Sequence, residues 1–302
     1  MTKLLIIGAN GFVGRRLLQK YSADFNYNVF GCSKGKDLLP TDKHHFTQVD
    51  LTDLTALEKY INKIAPDVIV NAAALSSPQY CQENALVAQK VNVESVKVMS
   101  EYAERNNKFL VHLSTDFVFN GSRKRLYTED DERGPQNFYG ETKTKAEDIL
   151  LESSCRHAIA RIEVVFGEHY PGQHGNIFTL VRNTLSSGQT LKVVNDQYRT
   201  PTFIDDVVWG IDAIINKEHT GIFHLAGPDY LSIADFAYRI ARYFKLDESL
   251  IQPVSSHKLN DPVRRPRYSG LSIKKSKKTF GYNPSNIAKA LSIISTPKKS
   301  EF

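Results

Sequence analysis

Directly after its first apolar run, residues 3–7, the chain reads Gly8-Ala9-Asn10-Gly11-Phe12-Val13-Gly14 and then continues with helical periodicity. Glycine at this GxxGxxG spacing permits a tight turn. It also lets backbone N–H groups approach a pyrophosphate, whose charge is favoured at a helix N-terminus. The strand before, the helix after and the place at the very start of the chain mark the first β-turn-α unit of a dinucleotide-binding sheet.

The following residues extend that pattern. Residues 28–32, 46–49, 67–73, 108–114 and 157–165 read as further strands, with amphipathic helical stretches at 54–64 and 85–105 between them. Strands separated by helices of this length pair in parallel through right-handed crossovers. Both faces of such a sheet are covered, which suits near-continuous apolar runs such as VIVNAAA. The fold class is therefore α/β, a doubly wound parallel sheet of the Rossmann type. After Val165 the character changes: residues 167–175 carry Pro171 and three glycines, as an irregular loop would. Helices at 177–185 and 205–216, strands at 191–194 and 221–226, and further helices near 233–244 and 287–294 are expected beyond it. We read residues 1–165 as the dinucleotide-binding domain and 166–302 as a smaller C-terminal α/β substrate lobe, with some segments packing back on the sheet.

Composition excludes several classes. Within 302 residues, 41% are hydrophobic and 24% charged, ordinary for a globular soluble protein. No apolar stretch is long enough to cross a membrane, and the start is too short and strand-like for a signal peptide, so a cytoplasmic location is expected. Cys32, Cys81 and Cys155 lack any paired spacing, so no disulfide framework or zinc site is expected. The net charge of +6 is spread along the chain rather than concentrated as in a nucleic-acid binder. Its densest run, Lys274, Lys275, Lys277 and Lys278, reads as a solvated face.

The end of the second strand should meet the adenosine ribose, where an NAD-preferring enzyme usually presents a carboxylate. Here Gly31-Cys32-Ser33-Lys34-Gly35-Lys36 offers hydroxyl and ammonium groups, with no acid before Asp37. Ser33 and Lys34 therefore favour a ribose 2′-phosphate and NADP(H), with NAD(H) as the alternative if these lysines are only exposed loop residues. Asp50 and Leu51, after the third strand, are placed to meet the adenine.

Tyr139-Gly140-Glu141-Thr142-Lys143 is a YxxxK arrangement at the start of a helical stretch running to residue 151. Positions four apart share a helix face, so phenol and ammonium can converge. A phenol of ordinary pKa, about 10, is a poor proton donor near neutrality, and a neighbouring cation stabilises its phenolate. The lysine can also hold ribose hydroxyls. YxxxK alone is weak, but Ser114-Thr115 at the end of the fifth strand adds a hydroxyl at the sheet edge where active sites of open α/β folds lie.

Together GANGFVG, VNAAA (70–74), LSTDFVFNG (113–121), YGETK and DQYRTPTFIDD (196–206) resemble the extended short-chain dehydrogenase/reductase superfamily, and within it the dTDP-4-dehydrorhamnose reductase family. The matches run to about Arg267. The resemblance implies catalytic roles for Thr115, Tyr139 and Lys143, a cofactor lining of Asn71, Ala72 and Ala73, and a supporting buried place for Asn92. It implies a nucleotide-sugar substrate met by Asp116, Phe117, Arg199 and Arg267. The two arginines would contact the diphosphate, since guanidinium binds phosphate in a bidentate way; surface salt bridges are the alternative for each. Homodimers occur in such a family, but nothing in the sequence marks an interface. Three departures stand out: Phe117 where tyrosine is common, Arg16 where some members carry a metal-linked carboxylate, and Pro78-Gln79-Tyr80-Cys81-Gln82 where VDxxE is usual.

The implied chemistry is hydride delivery to a keto carbon of the sugar, with Tyr139 giving the proton. Two readings compete: a nucleotide-sugar epimerase, and a non-catalytic NADP-binding regulatory subunit like the methionine adenosyltransferase β subunit. His44, His45, His169 and His174 lack a metal-ligand spacing and read as exposed or structural. Asp205-Asp206 read as a helix N-terminal cap and dipole partner. The acidic stretch 129–132 reads as a solubilising loop.

Overall fold

The unbroken apolar run Leu4–Ile7 of the first strand already requires two covered faces, and the molecule supplies them. The computed structural model describes residues 1–173, 175–258 and 262–296, so His174 lies outside it. Its strands are β1 (Thr2–Ile7), β2 (Tyr27–Ser33), β3 (His45–Gln48), β4 (Val68–Asn71), β5 (Phe109–Thr115) and β6 (Arg156–Ile162). Short strands β7 (Val165–Phe166), β8 (Leu191–Val194), β9 (Tyr198–Arg199) and β10 (Thr202–Phe203) follow, then β11 (Gly221–Leu225), β12 (Leu231–Ser232) and β13 (Ile251–Val254). Among the described residues, seven of these form one sheet in the order β3-β2-β1-β4-β5-β6-β11, parallel throughout. The order reverses between β1 and β4, and the crevice beyond their carboxyl ends is where such sheets bind ligands.

The helices are α1 (Phe12–Ser22), α2 (Leu54–Ile64), α3 (Pro78–Glu83), α4 (Ala85–Gln89), α5 (Ser95–Arg105), α6 (Phe138–Glu152), α7 (Ile177–Ser186), α8 (Ile204–Lys217), α9 (Ile233–Tyr243), α10 (Lys274–Phe280) and α11 (Ile287–Ser295). Leu5 and Ile7 of β1 pack with Leu57, Met99 and Leu150 of α2, α5 and α6. Leu4 and Ile6 point the other way, into a cluster with Leu17 of α1 and Ile211 of α8. Each such side chain contributes about 1.5–3 kcal/mol on burial. No helix of the described residues is long and apolar enough to cross a membrane.

Three expectations are modified. The single helix at 85–105 is interrupted by a π-helical turn, Lys90–Glu94, between α4 and α5. Such turns add a residue and re-aim side chains near functional sites; here the re-aimed residue is Asn92. The strand expected at 157–165 stops at Ile162, because Val164 takes φ 38°, a left-handed conformation unfavourable for a β-branched residue. The chain thereby leaves the main sheet, and β7 pairs instead with β10. Asp205 and Asp206 lie in the first turn of α8, but the cap is Phe203 and neither acid supplies a capping bond. The lysine run lies on α10 with its side chains exposed, as expected.

Candidate active site

The glycine loop is built by close approach. Gly8 takes φ +81°, and a Cβ there would sit 2.6 Å from the Ala73 nitrogen. A Cβ on Gly14 would meet the Gly8 carbonyl oxygen. The α1 N-cap is Gly11, which brings no side chain to the first-turn N–H groups of Phe12 and its neighbours, leaving them to an anion. Ser33 Oγ accepts from the Asn10 N–H at 3.0 Å. Asn10 Nδ2 donates to the Lys36 carbonyl at 2.8 Å and its Oδ1 accepts from Leu38 N–H at 3.1 Å, fastening the segment after β2 to the loop. Lys34 and Asp50, both assigned to the cofactor from sequence, meet each other at 3.0 Å on the surface, with half-buried Leu51 beside them in the chain.

Residues from the second half of the chain reach this loop and the start of α1. Gln173 Nε2 donates to the carbonyls of Asn10 and Gly11 at 3.1 and 3.0 Å. Arg16 donates to Asp205 at 2.7 Å and to the Tyr170 hydroxyl at 2.8 Å. The buried Arg15 guanidinium stacks over Tyr170, 4.2 Å from the ring centre, while its Nε and Nη1 make no hydrogen bond among the described residues. A cradle that any Cβ would fill and an uncapped helix start, with orphaned cationic nitrogens on the same helix, fit a dinucleotide diphosphate.

Beyond the switch point, Thr115 closes β5 and Tyr139 lies in the first turn of α6. Asn137 starts that helix by accepting from Gly140 N–H at 2.9 Å. Tyr139 and Thr115 are both buried, at 9% and 6% exposure. Burial pushes the phenol pKa up, with the Thr115 hydroxyl working the other way. Phe117 packs edge-on against the phenol, ring centres 5.6 Å apart.

Lys143, one turn further along α6, is 1% exposed. Its Nζ donates to the Leu113 carbonyl at 2.7 Å and lies 2.9 Å from His112 Nε2. Burial pulls its amine down to about 7, with Glu147 opposing. Burial likewise drives the His112 pKa well below its ordinary value, and a proton on Lys143 or His157 would press it lower still. Asn71 Nδ2 lies 3.1 Å from His112 Nδ1, and Asn71 Oδ1 accepts from Ala73 N–H at 3.1 Å. Asn92 bonds both backbone groups of Leu75 and donates to Thr142 Oγ1 at 3.0 Å, tying the segment after β4 to α6. Thr115, Tyr139 and Lys143 are thus brought to one place. Ser114 is not part of it, since its hydroxyl donates to Glu147 at 2.6 Å.

At Phe117 opens a cavity of about 950 Å³, lined also by Lys192, His257, Arg264, Arg265 and Arg267. Arg267 is exposed at this rim. Arg199, read from sequence as its partner on a diphosphate, also lines the cavity but is only 2% exposed. Its Nη1 donates to the Tyr198 carbonyl at 2.8 Å and its Nη2 to Pro266 at 2.7 Å. Its Nε faces Asp116 at 3.4 Å and Glu163 at 3.7 Å. Asp116, read as a substrate contact, is turned inward by the single 3-10 turn Asp116–Val118, and accepts from Thr115 at 3.1 Å and Ser269 at 2.6 Å.

Sequence reasoning did not single out Glu163, His112 or the Glu147–Arg161 pair. His112 carried a signal. It shares a strand face with Ser114, as Lys143 shares a helix face with Glu147, so one pairing implies the other.

A family model described as the RmlD substrate binding domain matches residues 1–297. The dTDP-4-dehydrorhamnose reductase of Aggregatibacter actinomycetemcomitans is 30% identical over 97% of this chain and 98% of its own length. Methionine adenosyltransferase 2 subunit beta of Rattus norvegicus is 28% identical over 90% of this chain and 81% of its own. The crystal structure of a dTDP-4-dehydrorhamnose reductase from Clostridium acetobutylicum superposes with a TM-score of 0.85 at 29% identity, covering 97% of this chain and 98% of that one. With the phenol, hydroxyl and amine gathered at the sheet edge, these matches along almost the whole length show that the chain belongs to the dTDP-4-dehydrorhamnose reductase family.

Proposed function

We propose that this protein uses NADPH to reduce a keto group on the sugar of a nucleotide-linked substrate. The observation that carries the reading is that Thr115, Tyr139 and Lys143 are all buried where the end of β5 meets α6, at the edge of the sheet between an anion-ready glycine loop and a basic cavity. NADPH, when bound, supplies the hydride. Residues 1–165 hold it: the first-turn N–H groups of α1 take the pyrophosphate, Ser33 and Lys34 the 2′-phosphate, Asp50 and Leu51 the adenine, and Asn71 to Ala73 line the crevice. Residues 166–302 supply most of the sugar-nucleotide site, where Arg267 with Lys192 and Arg264 meets the diphosphate and Phe117 faces the sugar.

As charge develops on the keto oxygen, Tyr139 gives it a proton and Thr115 donates a second hydrogen bond. Lys143 stabilises the phenolate left behind. Contacts to the nucleotide, remote from the reacting carbon, become positioning at that carbon.

A Tyr139→Phe variant offered NADPH and dTDP-4-dehydrorhamnose should lose about 10²–10⁴-fold in kcat while keeping its affinity for NADPH. A parental rate removes the phenol from the mechanism. Tight NADPH binding by the unaltered protein with no oxidation by any nucleotide ketosugar would instead favour a non-catalytic NADP-binding subunit, in line with the relative named as a methionine adenosyltransferase subunit.

A further inference from the structure

Hydrogen bonding around Lys143 runs in one direction only. The Ala73 N–H donates to Asn71 Oδ1, so the Asn71 amide must present its Nδ2 donor to His112 Nδ1. An imidazole whose Nδ1 accepts carries its proton on Nε2. That Nε2–H points at Lys143 Nζ, 2.9 Å away, and the nitrogen there can accept only through a lone pair. Lys143 completes the run by donating to the Leu113 carbonyl. A charged lysine breaks it. An ammonium has no lone pair, so His112 would have to move its proton to Nδ1, facing the Asn71 donor. Turning the Asn71 amide to relieve that clash would set its NH₂ against the Ala73 N–H.

We infer that Asn71 and His112 form a positioning unit that holds Lys143 as a neutral amine in the ligand-free protein, so that Lys143 takes up its proton only as the dinucleotide fills the crevice. The step is one proton from solvent to the Lys143 amine: the new N–H takes the lone pair, so the hydrogen bond from His112 Nε2–H is given up and the ammonium turns its donors to the docked cofactor. Burial of the amine acts in the same direction as the unit. On α6 lie Tyr139 and Glu147, and Glu147 is engaged by Arg161 of β6, by Arg133 and by the Ser114 hydroxyl. On β6, His157 acts on His112 and is held by the Cys155 carbonyl. Asp116 and Cys81 bear on Tyr139 rather than on the amine. Of these, Glu147 alone favours the ammonium, and it is already paired.

The arrangement gives the crevice a gate in charge rather than in shape. Without cofactor, a buried ammonium facing only an imidazole and one carbonyl would be costly. Docked ribose hydroxyls and the developing phenolate then supply what the cation needs. Cofactor uptake thereby becomes linked to proton uptake, and tight NADPH binding should weaken as pH rises above the Lys143 titration.

The test has two arms that do not involve cofactor, and these stand apart from the reductase reading on which the cofactor arm rests. Nitrogen NMR of ¹⁵N-histidine-labelled ligand-free protein should show His112 neutral and protonated on Nε2 at about pH 8. An Nδ1–H or doubly protonated ring overturns the inference whether or not the protein is a reductase. Next, the ε-carbon of Lys143 in ¹³C-lysine-labelled protein, assigned with Lys143→Arg, should titrate near 7. In His112→Gln, whose amide can turn an oxygen to the ammonium, that titration should rise by about one pH unit or more. An unchanged midpoint assigns His112 a packing role only. Finally, NADPH binding calorimetry at about pH 8 in buffers of different ionisation heat should report uptake approaching one proton, falling to about half or less in His112→Gln. Binding without proton uptake overturns the coupling, whereas no binding at all overturns the reductase reading and leaves the two NMR results intact.

Discussion

Two glutamates are completely buried on either side of the triad, and the fold holds them in opposite ways. Glu147 of α6 meets Arg161 through both oxygens, at 2.9 and 2.7 Å, with Arg133 at 3.3 Å and Ser114 at 2.6 Å. Glu163, just past β6, shares the Arg199 guanidinium with Asp116, at 3.7 and 3.4 Å. Its closer partners are the Thr200 N–H at 2.9 Å, the Thr200 hydroxyl and Ser269 at 3.3 Å. The first site has a fork geometry and cation to spare. The second has two carboxyls for one guanidinium, so burial favours keeping a proton on one of them. The lesson is positional. The balanced site underlies α6, which must place Tyr139 and Lys143 with fixed geometry, while the unbalanced one underlies the floor of the substrate cavity.

The strongest way to break this contrast is Arg161→Leu. It leaves Glu147 buried beside a longer, partly exposed Arg133 contact, and should cost about 3–5 kcal/mol in urea denaturation. A loss below about 1 kcal/mol would mean that Arg133 suffices and that Glu147 was never dependent on its fork. A smaller effect sharpens the other side. Ser269→Ala removes the hydroxyl donated to Asp116 at 2.6 Å. If Asp116 is the ionised member of its pair, the loss at about pH 7 should be about 1.5–3 kcal/mol, as for a bond to a charged acceptor. A loss within about 0.5 kcal/mol would show that the charge lies elsewhere.

The same contrast explains what could be read from the sequence. The glycine loop, the YxxxK turn and the strand-end Thr115 each lie within one local element, so spacing alone places their side chains. The Glu147–Arg161 and Lys143–His112 contacts are one step harder, since they need a helix period laid over a strand period. The Glu163 cluster draws on the end of β5, the turn after β6, β9 with Thr200, and Ser269. No local pattern joins those segments. Asp116 next to Thr115 reads as a substrate contact until the 3-10 turn points it inward, and Arg199 reads as a phosphate contact until its neighbours' carbonyls claim it. The break in the strand expected at 157–165 depends on Val164 accepting a left-handed φ, which only tertiary contacts can impose. Periodicity near 3.6 is likewise blind to the single extra residue of the π-helical turn at Lys90–Glu94.

The finest test of the contrast is Glu163→Gln, whose effect depends on pH more than on size. Burial holds the Glu163 carboxyl proton up to about 8, the Asp116 charge adding to this and Arg199 opposing it, whereas the unfolded chain releases that proton near the ordinary 4.5. Between those values the folded state binds more protons than the unfolded one, so stability contributed by this group falls as pH rises through the window. Glutamine imitates the protonated carboxyl: its oxygen can accept from Thr200 and its amide can face Asp116. Below about pH 5 the variant should match the parent within about 1 kcal/mol. Above that the parent alone should lose stability, leaving the variant ahead by a margin that widens until about pH 8. Urea midpoints across this range measure the divergence. Parallel curves would mean that Glu163 is ionised in the fold just as a fully paired carboxylate is, and the difference between the two buried sites would vanish.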